Sequence, residues 1–409
     1  MRIFILPSWC PTVDQPLSGT FFVEQAHAMA QLRPSWTVAL CQFDLARSRV
    51  PWRPWHIPRF LKDGLLTPRL LHEQAPSGLH AYKVWVPYLP GFGQQRKWVA
   101  TATALCLQAR LALEDFIQRF GKPDLIHAHG VYPGGAAAVA LGREYGIAVG
   151  LTEHMGPFPP PTLCLPGGQV MPLVTNTYAG ASMCSAVSQA LADRLMAMGL
   201  ADEVTVLPNF LSDHFGSGYS NAPKPHDGFS FLSVGGPSHA KGTDVLLKAL
   251  AQVSANVRLW IVGDSPELPF FQQMAADLRL TERVQWLGAV PREQMPDCYI
   301  ACDAFVLPSR GETFGIAFIE ALAFGKPLIA TRCGGPQDIV HAGNGILVPL
   351  NGVEDLVMAM QEMVAHAGRY APDALRSDFL ARFSGSAVLE RIEPWYRAVI
   401  RCGESKVAQ

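Results

Sequence analysis

The chain has 409 residues, of which 49% are hydrophobic and 16% charged, with 36 glycines, 33 prolines and a net charge of −1. That length suits two domains of roughly 200 residues each, and the composition excludes a disordered chain or a coiled coil. The balanced charge leaves no global field for nucleic acid, and no window approaches the ~20 apolar residues of a membrane-spanning helix.

In chain order, the start Met1-Arg-Ile-Phe-Ile-Leu6 is apolar but too short for a signal peptide and runs into Pro7. Short apolar runs then predict strands at Arg2–Leu6, Thr37–Gln42, Asp124–Ala128, Ala148–Leu151, Ser182–Val187 and Thr205–Leu207. A second series follows at Ser230–Val234, Val257–Val262, Val284–Leu287, Ala304–Leu307, Leu328–Ala330 and Ile346–Val348. Helices are expected between them, at Phe22–Leu32, Trp98–Phe120, Ala136–Tyr145, Asp244–Val253 and Gly315–Phe324, with a last one near Ala387–Cys402. Buried runs separated by helices imply parallel sheets covered on both faces. Two series imply two Rossmann-like doubly wound domains, at 1–210 and 229–384. Residues 211–228, rich in Gly, Ser and Pro, read as the linker, and residues 385–409 as a helix free to pack on the first domain.

The nine cysteines show no metal-ligand or disulfide spacing, and the Cys298–Cys302 pair reads as packing, so a reduced, intracellular chain is expected. Location is expected to be cytoplasmic, at most peripheral on the inner face of a membrane. His127 and His129 lie two apart near a strand end but lack an evident third ligand, so no metal is expected. Gly325-Lys326-Pro327 lacks the spacing of a phosphate loop.

The segment Leu307-Pro-Ser-Arg-Gly-Glu312-Thr-Phe-Gly-Ile-Ala-Phe-Ile-Glu320 carries the most chemistry. A strand ends near Pro308, a loop carries Glu312, and a helix begins about Gly315. Free N–H groups of its first turn, around Phe314, Gly315, Ile316 and Ala317, offer an anion site aided by the helix dipole. Glu320 is the only charged residue between Thr313 and Gly325. A carboxylate there needs a bonding partner, which is either a structural group or the hydroxyls of a ligand. Phosphates at the helix start, flanked by two carboxylates, would suit a nucleotide sugar.

Glu312-x7-Glu320, continued by Glu-Ala-Leu-Ala-x-Gly-Lys-Pro327, resembles the retaining glycosyltransferases of family 4, which have the GT-B fold. The resemblance extends to Val234-Gly235, Lys241-Gly242-Thr-Asp244, Val262-Gly263, Gly334-Gly335 and Leu207-Pro-Asn209. In the first half it reaches Ile126-His-Ala-His129 and Leu151-Thr-Glu-His154. It implies two Rossmann-like domains facing a central cleft, with a UDP- or GDP-linked sugar as co-substrate and no cofactor or metal. The sugar would pass, with retention, to a glycan or lipid-linked acceptor in surface polysaccharide or lipopolysaccharide synthesis. Carried over, Glu312 contacts the transferred sugar, Glu320 holds the ribose, and Lys241 neutralises the departing diphosphate. Gly19 admits the donor phosphates to the backbone, and His154 lines the reaction centre. Read without the resemblance, Lys241 is equally a surface lysine, Gly19 a loop glycine and His154 a core histidine.

One departure matters. Family members usually carry arginine where this chain has Gly236, as a second cation on the diphosphate. The N–H groups of Gly235 and Gly236, or the side chains of His239 and Arg310, are the candidate substitutes. The gap keeps a non-catalytic nucleotide-sugar-binding protein among the alternatives, beside a soluble sugar synthase or phosphorylase of the same fold.

Basic and aromatic residues interleave at Arg49, Trp52, Arg53 and Trp55, and a second aromatic stretch, Tyr82, Trp85, Tyr88, Phe92 and Trp98, lies near Arg96 and Lys97. This suits an anionic membrane interface near the acceptor, or a Pro-rich loop packed on the first sheet.

Overall fold

The structure, a computed structural model, describes residues 1–12, 15, 18–44, 70–86, 94–213, 215–217 and 228–407. The patch at Arg49, Trp52, Arg53 and Trp55 lies outside the described residues, as do Tyr88 and Phe92. The chain forms two compact units, one of Met1–Val187, Leu191–Leu207 and Val388–Gln409, the other of Ser188–Ala190 and Pro208–Ala387.

The first unit holds strands β1 (Arg2–Pro7), β2 (Thr37–Asp44), β3 (Leu70–Gln74), β4 (His80–Trp85), β5 (Leu125–His129), β6 (Ala148–Glu153), β7 (Met183–Ala186) and β8 (Val204–Val206). They make one eight-stranded sheet in the order β3-β4-β2-β1-β5-β6-β7-β8. Every strand pairs in parallel except β3, which runs antiparallel to β4 at the edge. Central strands are buried nearly throughout, as both faces carry helices. Helices α1 (Thr20–Leu32), α2 (Gln94–Phe120), α3 (Ala136–Tyr145), α4 (Pro172–Gly180) and α5 (Gln189–Ala197) follow the strands. Along α2, Ala102, Leu105, Ala109, Ala112, Leu113 and Phe116 are buried at the three- and four-residue spacing of an apolar stripe.

The hairpin β3–β4 is absent from the sequence reading, and it changes the second aromatic stretch. Tyr82 is an interior strand residue, fully buried, donating a hydrogen bond to Asp115 Oδ2 at 3.0 Å. It therefore offers nothing to a membrane. The alternation His80, Tyr82, Val84 was masked by a histidine and a tyrosine at inward positions.

The second unit holds β9 (Phe229–Val234), β10 (Val257–Val262), β11 (Val284–Gly288), β12 (Ala304–Leu307), β13 (Leu328–Thr331) and β14 (Gly345–Val348). They form an all-parallel six-stranded sheet in the order β11-β10-β9-β12-β13-β14. Its helices are α6 (Thr243–Leu250), α7 (Leu268–Asp277), α8 (Met295–Ala301), α9 (Ile316–Ala323), α10 (Pro336–Ile339), α11 (Val353–Ala365) and α12 (Pro372–Arg382). The unit begins at Pro208, earlier than the expected linker, because Leu211 bridges to Ser384 and its N–H reaches Phe383 O at 3.1 Å.

The last helix, α13 (Gly385–Val407), belongs from Val388 onward to the first unit. It buries Val388, Leu389, Ile392, Trp395, Tyr396 and Val399. A side chain at Gly150 would meet the Trp395 ring at 2.7 Å, so β6 is bare there to admit the indole.

Candidate active site

In an open parallel sheet, the crevice at the carboxyl strand ends lies where the strand order reverses. In the second unit that place is between β9 and β12, whose neighbours run off in opposite directions. The loop after β9 leads to Lys241 and Gly242, the N-cap of α6. The loop after β12 leads through Glu312 to Gly315, the N-cap of α9. The two loops are tied by Arg310 N–H to Ala240 O at 2.8 Å.

There the Lys241 ammonium meets Glu312 Oε1 at 2.6 Å, and the Ser309 hydroxyl donates to the same oxygen at 2.8 Å. Glu312 Oε2 takes no partner among the described residues. The Lys241 side chain keeps 33% of its surface exposed while that of Glu312 keeps 12%. One cation and one half-engaged carboxylate thus stand together at the switch point. A side chain at Gly235 would lie 3.1 Å from Lys241 Cε, so the bare glycine leaves the lysine its path.

Helix α9 starts at Ile316, one residue later than expected, since Gly315 is in the left-handed region at φ 97°. The N–H groups of Ile316 and Ala317 have no acceptor inside the helix, while Phe318 N–H returns to Gly315 O at 3.0 Å. Phe314 is buried, its ring edge-on to Phe383 at 6.0 Å. Glu320, inside α9, is also buried, and both its oxygens have protein partners. Arg292 Nη1 donates to Oε1, and the Tyr299 hydroxyl donates to Oε2 at 2.6 Å. Burial, and then the Glu320 charge, push the Tyr299 phenol well above its usual range, so it stays a donor.

The substitutes for the absent arginine fare differently from one another. Gly235 N–H donates to Val262 O at 3.0 Å, closing the strand end, and is not available to an anion. Arg310 is held by Asp244 through two contacts, at 2.8 and 2.9 Å, and also donates to His239 O. His239 itself pairs with Glu267 at 2.8 Å. These corrections leave Gly236 N–H as the backbone candidate. A β-carbon at Gly236 would sit 2.2 Å from Asp264 O, so the position has no room for any side chain, arginine included. Lys326, outside this site, donates to Ile300 O and Cys302 O at 3.0 and 2.8 Å and closes the end of α8.

In the first unit the strand order reverses between β1 and β5. Gly19 lies in the loop after β1, as the left-handed N-cap of α1 beside the Trp9 carbonyl. His154 follows β6, is 7% exposed, and exchanges a hydrogen bond at 2.9 Å with His129 Nδ1. Rings of Trp9, Phe21 and Phe22 surround it at centroid distances of 6.4, 5.5 and 5.0 Å. Burial, and then the neighbouring His129, hold His154 well below its usual pKa; burial lowers His129 to about 3. Both imidazoles are therefore neutral at pH 7. No group of three or more His, Cys, Asp or Glu among the described residues is arranged to hold a metal ion.

Glu153, the strand residue before His154, is fully buried with no cationic partner among the described residues. Its Oε1 accepts the N–H groups of His154 and Met155 at 2.8 and 2.9 Å. Its Oε2 accepts Val131 N–H at 3.0 Å and the Tyr178 hydroxyl at 2.8 Å. Burial raises its pKa, and these four donors to the charged form oppose the rise. The carboxylate joins the chain just beyond β5 to that just beyond β6, beside His129 and His154. A charged residue ending an apolar strand was the available signal for it. Arg292 and Tyr299 had none, lying some distance upstream of Glu320 in unremarkable sequence.

Two family models match the chain: "Glycosyl transferases group 1" over residues 220–371 and "Glycosyltransferase Family 4" over residues 65–214. D-inositol 3-phosphate glycosyltransferase 1 of Catenulispora acidiphila is 30% identical over 70% of this chain and 75% of its own length. A GDP-mannose-dependent alpha-(1-6)-phosphatidylinositol monomannoside mannosyltransferase of Mycolicibacterium smegmatis is 33% identical over 32% of this chain and 37% of its own. Among solved structures, sucrose-phosphate synthase from Thermosynechococcus elongatus superposes with TM-score 0.72 at 19% identity, covering 98% and 100% of the two chains. Anabaena HepE in complex with UDP gives TM-score 0.69 at 18% identity, covering 97% and 100%. These likenesses are of the GT-B fold.

Proposed function

The chain belongs to glycosyltransferase family 4, and on that premise we propose that it moves a hexose-type sugar, with retention, from a UDP- or GDP-sugar to a glycan or lipid-linked acceptor. The observation that carries this reading is the Lys241–Glu312 pair at the switch point of the second sheet. In the proposed reaction Lys241 neutralises the diphosphate as it leaves, and the first N–H groups of α9 share the charge. Glu312 Oε2, without a partner among the described residues, accepts a hydroxyl of the transferred sugar. Glu320 accepts the ribose hydroxyls through its remaining lone pairs.

Loss of the diphosphate generates an oxocarbenium-like sugar that the acceptor hydroxyl attacks from the same face, its proton passing to the departing diphosphate. In the first unit, a neutral His154 stands caged by aromatic rings and is proposed to contact the sugar substrate. No enzymic nucleophile is invoked, and no metal is needed where a lysine and a helix terminus already supply positive charge. The name of the mycobacterial relative, which includes GDP-mannose and phosphatidylinositol monomannoside, supports a nucleotide sugar and a lipid-linked acceptor. UDP in the HepE complex supports a nucleotide donor. The intact Lys241–Glu312 pair favours catalysis over a purely binding role.

The test is release of nucleoside diphosphate from a panel of UDP-, GDP- and ADP-sugars, with Glu312→Ala and Lys241→Ala alongside. One donor is expected to be turned over, with each variant slower by about 10²–10³-fold. Equal rates in wild type and both variants would remove the site.

A further inference from the structure

Glu320 lies in one of the most apolar helices of the chain, and its surroundings in the second unit form a layered assembly. Arg292 bonds Oε1 and Tyr299 bonds Oε2. Behind them, the Arg292 guanidinium lies over the Phe215 ring at 4.7 Å. That ring is edge-on to Phe324 at 5.6 Å, and Phe324 in turn stacks on Tyr299 at 5.5 Å with an interplanar angle of 5°. Arg376 ties the backbone of this layer to α9, donating to both Phe215 O and Ala323 O at 2.7 Å. Two members of the assembly, Arg292 and Tyr299, meet on the one carboxylate.

An ionised carboxylate has about four acceptor positions. Arg292 and Tyr299 occupy one on each oxygen, and no other described residue takes the rest. Among the described residues, that leaves one acceptor position on Oε1 and one on Oε2. One open acceptor on each oxygen of a carboxylate bonded on both sides suits the paired hydroxyls of a ribose. The last torsion of a glutamate is broad and easily rotated, so this match depends on whatever holds the group.

We propose that Arg292, backed by Phe215, is a positioning residue that locks the Glu320 carboxylate to read both ribose hydroxyls, and so sets selectivity for ribonucleotide over deoxyribonucleotide donors. The inference rests on the reading of Glu320 as the ribose acceptor given above. Arg292 itself touches protein. Its effect passes through the angle and charge of its partner, and a side chain that supplies charge without the planar fork replaces it only in part. The ribose is remote from the bond that breaks, so the effect falls on KM for the donor and leaves kcat little changed.

The experiment measures binding of the nucleoside diphosphate of the active donor, and of its 2′-deoxy and 3′-deoxy forms, by calorimetry. Turnover of the matching sugar donors is followed in parallel. UDP and GDP with their deoxy forms are the probes if no turnover is seen. Wild type is expected to bind each deoxy form about 10–100-fold more weakly, the factor for a hydrogen bond to a charged group. Arg292→Met is expected to bind the ribo form more weakly by a similar factor and to discriminate by less than about threefold. Arg292→Lys should retain part of the discrimination, which a merely structural loss would not predict. Tyr299→Phe, which frees the other oxygen, gives an independent second reading if Arg292→Met fails to fold. Undiminished discrimination in Arg292→Met and Tyr299→Phe would overturn the proposal while leaving Glu320 as ribose acceptor. Equal binding of ribo and deoxy forms by wild type would overturn that reading and the proposal together.

Discussion

His127, His129 and His154 pack within one buried cluster of the first unit, with ring centroids of consecutive members 4.0 and 5.1 Å apart. Burial lowers all three, and the neighbouring imidazoles lower His127 and His154 further. The unfolded chain, with ordinary histidines near 6.5, binds more protons than the native state below that pH. The stability these groups contribute is therefore present above about pH 6.5 and is lost as pH falls toward their folded values. His27, His72 and His80 act in the same direction, while Glu153, raised by burial, opposes them singly. Urea unfolding between pH 7.5 and 5.5 should show falling stability, each coupled imidazole adding up to ~1.4 kcal/mol per pH unit. A flat profile would contradict the neutral, enclosed state. At this scale Lys241, Glu312 and Glu320 were legible because charged residues at fixed spacing interrupt apolar or glycine-rich sequence. Arg292 was not legible, since only the turn of the chain through β12 brings it to Glu320.

At the scale of elements, the loop between β9 and α6 shows how a local exchange is absorbed. The glycine at 236 is filled from the other side by Asp264, whose carbonyl occupies the place a side chain would leave from. Gly236→Arg is expected to destabilise the second unit by about 1–3 kcal/mol, as overpacking does, and to leave donor turnover no faster. Faster turnover at unchanged melting temperature would mean that the loop yields and that the charge was wanted. The strands of both sheets were readable from apolar runs, because parallel strands covered on both faces lack polar alternation. The β3–β4 hairpin was unreadable for the converse reason. It is an edge element with Glu73 and Lys83 facing outward and His80 and Tyr82 inward, so its apolar signal is weak.

On the scale of the whole molecule, the chain returns to its first unit at the end. Tyr396 on α13 shares a hydrogen bond with His127 Nδ1 at 2.7 Å. His127 Nε2 continues to Thr152 Oγ1 and on to Ser185 Oγ, both steps at 2.7 Å. A polar thread thus crosses three adjacent strands beneath the last helix. Tyr396→Phe leaves a buried ring nitrogen without its partner and should cost about 1–3 kcal/mol in chemical unfolding of the first unit. A change below about 0.5 kcal/mol would show that the apolar contacts of Trp395 and Val399 hold the helix alone.

The sequence by itself determined the fold class, the two sheets, the family and the residues at the switch point of the second sheet. Each is written in local pattern: apolar runs of strand length, glycines at turns, and two carboxylates eight positions apart around a helix start. Tertiary structure alone decided which partners those carboxylates keep, that Gly236 has no room for a side chain, that Glu153 ties two loops, and which unit the last helix joins. Those outcomes depend on groups far apart in the chain meeting where water is excluded, and there an unpaired charge or an overfilled position costs more than local propensity can signal.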